Sequence, residues 1–301
     1  MAIRLGSRGS ALAVAQATYV RQLLEGLGEE VEMVTIRTSG DERPGGAPAP
    51  ETDDKARFVK EIEEALLVEE IDLAVHSAKD VPSLLPDGLA IVGVPERADP
   101  RDAVCGAESL DALAEGAVVG TASLRRRAQL LAARPDLAVR EVRGNVDTRL
   151  RRLGEGACDA LVLAAAGLAR LGRDEGQPIP EREMTPAVGQ GCLALEARIS
   201  DTPIAEAAGK ITDQEALVAL TAERALVDGL AATCHTPVGA HAHLGPDGLV
   251  LDGFAGMPDG SSWIRDSATG DESDPGALGR EVAERMLAAG ARELLDAAEQ
   301  S

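Results

Sequence analysis

Ile71-Asp72-Leu73-Ala74-Val75-His76-Ser77-Ala78-Lys79-Asp80-Val81-Pro82 is a short apolar run that stops in a polar cluster. The apolar part has the length of a buried strand, and Pro82 ends the regular stretch and fixes the turn. A buried strand that delivers His, Ser, Lys and Asp to its C-terminal end implies an α/β sheet, because such sheets bind ligands at that edge. Asp80, beside the fixed positive charge of Lys79, is a candidate acid/base. Taken alone, these residues also fit a solvated strand-end loop.

The neighbouring segments extend the pattern. Ala2–Leu5 reads as a strand, and Ser10 caps a helix whose Leu12, Ala15, Tyr19, Leu23 and Leu27 follow helical spacing up to Gly28. Val31–Arg37 is strand-like, and Phe58–Val68 is helical with Phe58, Ile62, Ala65 and Leu66 on one face. Between them, Glu42–Asp54 holds Pro, Gly, Ala and acidic residues without periodicity, the composition of a mobile loop. Leu89–Val94 is a further strand.

A second series follows Asp99-Pro100, with strands at Val118–Gly120, Ala138–Val142 and Ala160–Leu163. Helices fall at Leu124–Ala133, Val146–Leu153 and Ala165–Leu171, and Arg173–Pro186 reads as a polar connection. Thr212-x-x-Glu215 has the form of a capping box opening a helix to Asp228. Strands around the Gly245-Pro-Asp-Gly248 turn and a final helix at Ala277–Ala297 complete the chain. The expected fold is α/β: two alternating units and a smaller α+β tail, with no internal repeat visible.

Charge narrows the function. Fifty-one Asp and Glu against 30 Lys and Arg give a net charge of −21, which argues against nucleic acid or an anionic membrane as partner. Only four of the basic residues are Lys (Lys55, Lys60, Lys79 and Lys210), a balance that suits a high-salt proteome. No apolar run reaches a membrane span and the start has no signal-peptide core, so a cytoplasmic protein is expected. Cys105, Cys158, Cys192 and Cys234 form no CxxC pair and are expected to be reduced.

Arginine recurs where strands give way to helices. Gly120-Thr-Ala-Ser123-Leu-Arg125-Arg126 presents a helix N-terminus to an anion, yet two Arg there oppose the helix dipole unless an anionic ligand compensates. Arg143, Arg149, Arg8 and Arg170 occupy comparable junctions, and together they suit a substrate with several carboxylates. Ala232-Thr-Cys234-His235-Thr-Pro-Val-Gly239, with His241 and His243 beyond, admits three readings: a metal cluster, an activated thiolate or a packed structural Cys. With no second Cys near by, no metal is expected.

In their order, these segments resemble the porphobilinogen deaminase (hydroxymethylbilane synthase) family. The match is carried by Arg8-Gly-Ser10, Gln16, His76-Ser-Ala-Lys79-Asp80-Val-Pro82, Gly120-Thr-Ala-Ser-Leu-Arg125-Arg126 and Arg143-Gly-Asn-Val-Asp-Thr-Arg149. Ala166-Gly-Leu-Ala-Arg170, Pro186-Ala-Val-Gly-Gln190-Gly191, Thr221-Ala-Glu-Arg224 and Cys234 continue it. It implies a transferase of porphyrin, tetrapyrrole and heme biosynthesis, with two lobes like those of periplasmic binding proteins and a smaller C-terminal domain. The implied boundaries are 1–97 completed by about 191–210, 98–190, and 211–301. Cys234 would carry a dipyrromethane through a thioether, with Asp80, Lys79, Ser123, Arg125 and Arg126 around the cofactor. Asp80 would be the catalytic acid/base, Arg8, Arg143, Arg149 and Arg170 would bind porphobilinogen, and the protein would be a monomer. Asp54-Lys55-Ala56-Arg57-Phe58 departs from the family's Gly-Lys-Gly-Leu-Phe, and Cys192 stands where a small residue is usual.

Overall fold

The computed structural model describes residues 2–37, 56–82, 84–232 and 236–300, of which 56–58 by backbone alone. The expected loop Glu42–Asp54 lies outside them. In chain order, the first run is β1 (Ile3–Arg8), α1 (Ala11–Gly26), β2 (Val31–Ile36), α2 (Ala56–Leu67), β3 (Leu73–Ser77), a 3-10 turn at Ala78–Asp80, and β4 (Leu89–Gly93). The second is β5 (Asp102–Cys105), β6 (Val118–Gly120), α3 (Leu124–Ala133), β7 (Ala138–Arg140), α4 (Val146–Gly154), β8 (Ala160–Ala164), α5 (Ala165–Arg170) and β9 (Gly176–Pro178). Then come β10 (Leu193–Arg198), α6 (Thr202–Lys210), α7 (Gln214–Gly229), β11 (Val238–Gly245), β12 (Gly248–Gly256) and β13 (Trp263–Gly270). Helices α8 (Pro275–Ala288) and α9 (Ala291–Glu299) close the chain.

These elements form two compact units, Met1–Ala98 with Gly191–Leu217 and Asp99–Gln190 with Val218–Ser301. The first contains one mixed sheet, in the order β2-β1-β3-β10-β4, with β1 parallel to β2 and β3 and with β10 antiparallel to both neighbours. The second contains a sheet in the order β7-β6-β8-β5-β9, with β6 parallel to β7 and β8 and with β5 antiparallel to both neighbours. The two sheets therefore share one plan, although the sequence shows no repeat. In each, the antiparallel fourth strand is the one reached just after the chain enters that unit. The second unit also holds the antiparallel sheet β11-β12-β13, packed on α7, α8 and α9 through Leu226, Leu251, Val282 and Met286. Among the described residues, no helix is long and apolar enough to cross a membrane.

Several local expectations change. The buried stripe of α1 is Ala13, Gln16, Ala17, Val20 and Leu24, one position on from the expected face. Small Ala13 and Ala17 let the helix lie close to the sheet, and Leu12, Tyr19 and Leu23 flank that contact half-buried. Asp213, not Thr212, caps α7 by accepting from Ala216 N at 2.8 Å; Thr212 Oγ1 instead donates to Ala208 O and accepts from Val94 N. The single final helix is two, broken at Gly290, whose φ of 97° only glycine adopts without strain. Arg173–Pro186 is not all connection, since it contributes β9.

One face of the first sheet hides charge. His76 and Glu196 lie on neighbouring strands, Nε2 to Oε2 3.0 Å, with the imidazole almost wholly and the carboxylate wholly buried. Glu63 of α2 is buried as well, and its carboxyl is pushed up to about 7, first by burial and then by the charge of Glu196, against the pull of His76. A carboxyl raised in the fold from its ordinary 4.5 stabilises the protein fully below that ordinary value, and the stabilisation is lost as pH rises through about 7. Glu63→Gln stays neutral throughout. Its stability relative to wild type should therefore rise between pH 5 and pH 8, by up to about 3 kcal/mol. Urea denaturation of both proteins at several pH values reads this difference, and parallel profiles would contradict it.

Candidate functional site

In the first unit, β1 and β3 run parallel, so Ser7-Arg8 and His76-Ser77 leave the sheet at the same edge. Beyond β3 the chain turns at once: Ala78 N donates to Cys192 O at 3.1 Å, and Val81 N donates to Ala78 O. The 3-10 turn so held carries Lys79 and Asp80, both half-buried. Gln16 of α1 donates from Nε2 to Ser77 Oγ at 2.8 Å and anchors the end of β3 to the first helix. Ser10 caps that helix by accepting from Ala13 N, and half-buried Arg8 lies just before it. The first sheet thus gathers Arg8, Lys79 and Asp80 at its C-terminal edge.

The second unit repeats this arrangement with arginine. Ser123 caps α3 by accepting from Arg126 N, and Asn145 caps α4 by accepting from Thr148 N. Arg125 and Arg126, in the first turn of α3, are 4% and 5% exposed, which excludes surface decoration. The anion they require is internal. Asp102, at the start of β5 and wholly buried, takes Arg125 Nη1 on Oδ2 and Arg126 Nη2 on Oδ1, each at 2.7 Å. Gln190 Nε2 also donates to Asp102 Oδ1 at 3.0 Å, and Arg126 Nη1 donates to Val162 O at 2.9 Å. Burial alone would raise the Asp102 carboxyl, but the charges of Arg125 and Arg126 outweigh it and hold the group far below the ordinary range. Two guanidinium groups on one carboxylate still leave one positive charge in excess.

Arg143 is exposed and bonded to Glu141, Arg149 donates from Nε to Gly144 O at 2.7 Å, and half-buried Arg170 ends α5. Cys234 and His235 lie outside the described residues. Among the described residues, no group of three or more His, Cys, Asp or Glu is placed to hold a metal. Cys105, Cys158 and Cys192 are buried, and burial pushes the Cys105 thiol up to about 11, far from a reactive thiolate.

Two buried carboxylates were missed by residue-level reading. Asp102 follows the Asp99-Pro100 boundary closely, with nothing in the sequence to mark its burial. Glu223 lies inside Thr221-Ala-Glu-Arg224, a motif quoted above without a role for its acid. It is wholly buried and accepts from Gly189 N at 2.6 Å and Ala242 N at 2.8 Å, joining the Gly189-Gln190 segment to β11.

Two mixed α/β sheets with one strand plan, one edge bearing Arg8, Lys79 and Asp80 and the other the buried guanidinium groups of Arg125 and Arg126, define the class as a two-lobed α/β protein. Comparison with known proteins narrows the class. Residues 3–206 match the model of the porphobilinogen deaminase dipyromethane cofactor binding domain, and residues 217–288 match that of the porphobilinogen deaminase C-terminal domain. The porphobilinogen deaminase of Thermus thermophilus is 49% identical over 97% of both chains. That of Trichlorobacter lovleyi is 44% identical over 98% of this chain and 96% of its own. The second substrate binding domain of a putative amino acid ABC transporter from Streptococcus pneumoniae aligns at 13% identity with a TM-score of 0.44, over 70% of this chain and 91% of that one. The chain belongs to the porphobilinogen deaminase family, transferases that work with a dipyrromethane cofactor.

Proposed function

We propose that the chain condenses four porphobilinogen molecules, with loss of one ammonia each, and that water then cleaves the product from the cofactor as the linear tetrapyrrole hydroxymethylbilane, with Cys234 as the thioether attachment point of the dipyrromethane. The observation that carries this reading is the surplus guanidinium charge on Asp102, inside a region that matches a cofactor-binding family model. A polycarboxylate pyrrole chain supplies the anion which that surplus favours, so the residues present fit the group. When bound, the dipyrromethane supplies a tethered pyrrole end at which new units are joined.

The protein's own groups divide the work. Arg125 and Arg126, with Ser123 and Lys79, hold cofactor carboxylates, while Arg8, Arg143, Arg149 and Arg170 hold those of porphobilinogen. Asp80 accepts hydrogen bonds from pyrrole N–H groups and stabilises the positive charge that develops as ammonia leaves. A fixed carboxylate lowers that barrier without reorganising, and the covalent tether keeps the product in place between additions. The three-domain division, a monomeric state, a cytoplasmic location and adaptation to high salt belong to the same reading.

The purified chain should weigh more than its sequence by two pyrrole units, and Cys234→Ala should remove the excess. Active enzyme with the bare mass would refute the attachment. Asp80→Asn keeps the shape and removes the charge, so single-turnover rates of cofactor-loaded enzyme should fall far more than substrate affinity does. Turnover near wild type in that variant would end the role given to Asp80. Salt dependence rests on the net charge of −21. Dialysis toward about 0.01 M salt extends the Debye length to roughly 30 Å and should unfold or inactivate the protein. Unchanged stability there would show that the acidic surface is no such adaptation.

A further inference from the structure

Arg125 is oriented by more than Asp102. Its Nη1 also donates to Thr185 O at 2.7 Å, and that carbonyl is itself held by Gln129. Gln129, on the second turn of α3 and 1% exposed, clasps the Thr185 backbone from both ends: Nε2 donates to Thr185 O at 3.0 Å, and Oε1 accepts from Thr185 N at 2.8 Å. The same Oε1 accepts from Arg265 Nη2 at 3.0 Å, and Arg265 belongs to β13 of the C-terminal sheet. Arg265 also donates to the carbonyls of Arg182 and Glu183 and lies over the Phe254 ring, 5.4 Å from its centre. The C-terminal sheet thus grips the 182–185 segment through a side chain with little freedom left.

A second strand of that sheet bears on the same place. Ala240 N donates to Pro186 O at 3.0 Å. A Cβ on Gly239 would stand 2.9 Å from both Thr185 O and Pro186 O and 3.2 Å from Arg125 Cδ, so β11 passes closer to the Arg125 stem than any other residue allows. Gln129 is too deeply buried to meet a ligand. It touches the groups that fix Arg125.

We propose that Gln129 is a positioning residue through which the C-terminal sheet, by way of Arg265 and the Thr185 carbonyl, sets the direction of Arg125 and hence its grip on a cofactor carboxylate. The inference rests on the reading of Arg125 as a carboxylate-binding group. The amide is suited to the task because it donates and accepts at once. Gln129→Met fills the same space and does neither.

The test uses the full chain expressed without porphobilinogen, to which porphobilinogen is added while intact mass is followed. Gln129→Met should gain the two-pyrrole increment about tenfold more slowly than wild type, as Arg125→Lys should, and the double variant should be no slower than Arg125→Lys alone. Mass gain at the wild-type rate in Gln129→Met, or effects that simply add in the double variant, would overturn the inference. Should Gln129→Met fail to fold, Arg265→Lys loosens the same carbonyl from the far side while keeping the charge. It should slow mass gain in the wild-type background and not in Arg125→Lys; a wild-type rate in Arg265→Lys would be equally fatal. The underlying reading fails separately, if Arg125→Lys itself gains mass like wild type.

Discussion

A wholly buried carboxylate, Asp102, holds the candidate anion site together. Removing a carboxylate from water costs several kcal/mol, and this one is sustained only because two guanidinium groups and the Gln190 amide surround it. The dependence is mutual, since Arg125 and Arg126 in the first turn of α3 face a helix dipole of their own sign. An internal anion answers that conflict only in part. The same cluster ties β5 to α3, to the Val162 carbonyl of β8 and, through Gln190, to the segment that returns toward the first unit. Loss of Asp102 would leave both guanidinium groups buried without their shared carboxylate, whereas loss of either arginine leaves Asp102 one charged partner.

The shared plan of the two sheets explains where the chemistry falls. Parallel strands β1 and β3, and likewise β6 and β8, end at one edge, and α1 after β1 and α3 after β6 present capped N-termini there. The antiparallel fourth strand serves a different purpose. β10 lies between β3 and β4, and just ahead of it the Cys192 carbonyl receives Ala78 N at the start of the turn with Lys79 and Asp80. In the second unit, β5 opens with Asp102 itself. At or just ahead of its start, each fourth strand therefore has a group that bonds residues at the strand ends of its own sheet.

Most strands and helices were legible because apolar runs and helical spacing survive packing: β4, β6 and α3 fall where the pattern puts them, and β3 (Leu73–Ser77) lies two residues on from the apolar run Ile71–Val75. The strand that completes the first sheet was not. Leu193-Ala-Leu-Glu-Ala-Arg198 is rich in helix formers and has no alternation, yet tertiary pairing on both sides makes it a strand. Strands buried on both faces lose the period that would reveal them. Of the candidate site, the positive side chains were legible and their internal partners were not, because a buried Asp or Glu carries no local mark. Asp102 and Glu223 become visible only when residues 23 and 34 positions away, such as Arg125 and Gly189, are seen to meet them. Their place at a helix N-terminus suggested a ligand as the counter-ion of Arg125 and Arg126; the fold supplies one from within and leaves a single charge over.

That remaining charge has to act inside a protein whose net charge is −21, which would repel a polycarboxylate at long range. Burial resolves the contradiction. Surface carboxylates sit in water, and at physiological ionic strength their field decays over about 8 Å. Arg125 and Arg126 are shielded from those ions, and an anion that reaches them meets a low-dielectric surrounding where each hydrogen bond is stronger. Salt therefore weakens the repulsion more than the grip. An acidic exterior and two buried arginines are compatible, provided that the guanidinium groups are held in place by internal partners. The Asp102 cluster meets that condition before any ligand arrives, so binding need not supply the ordering of two long side chains.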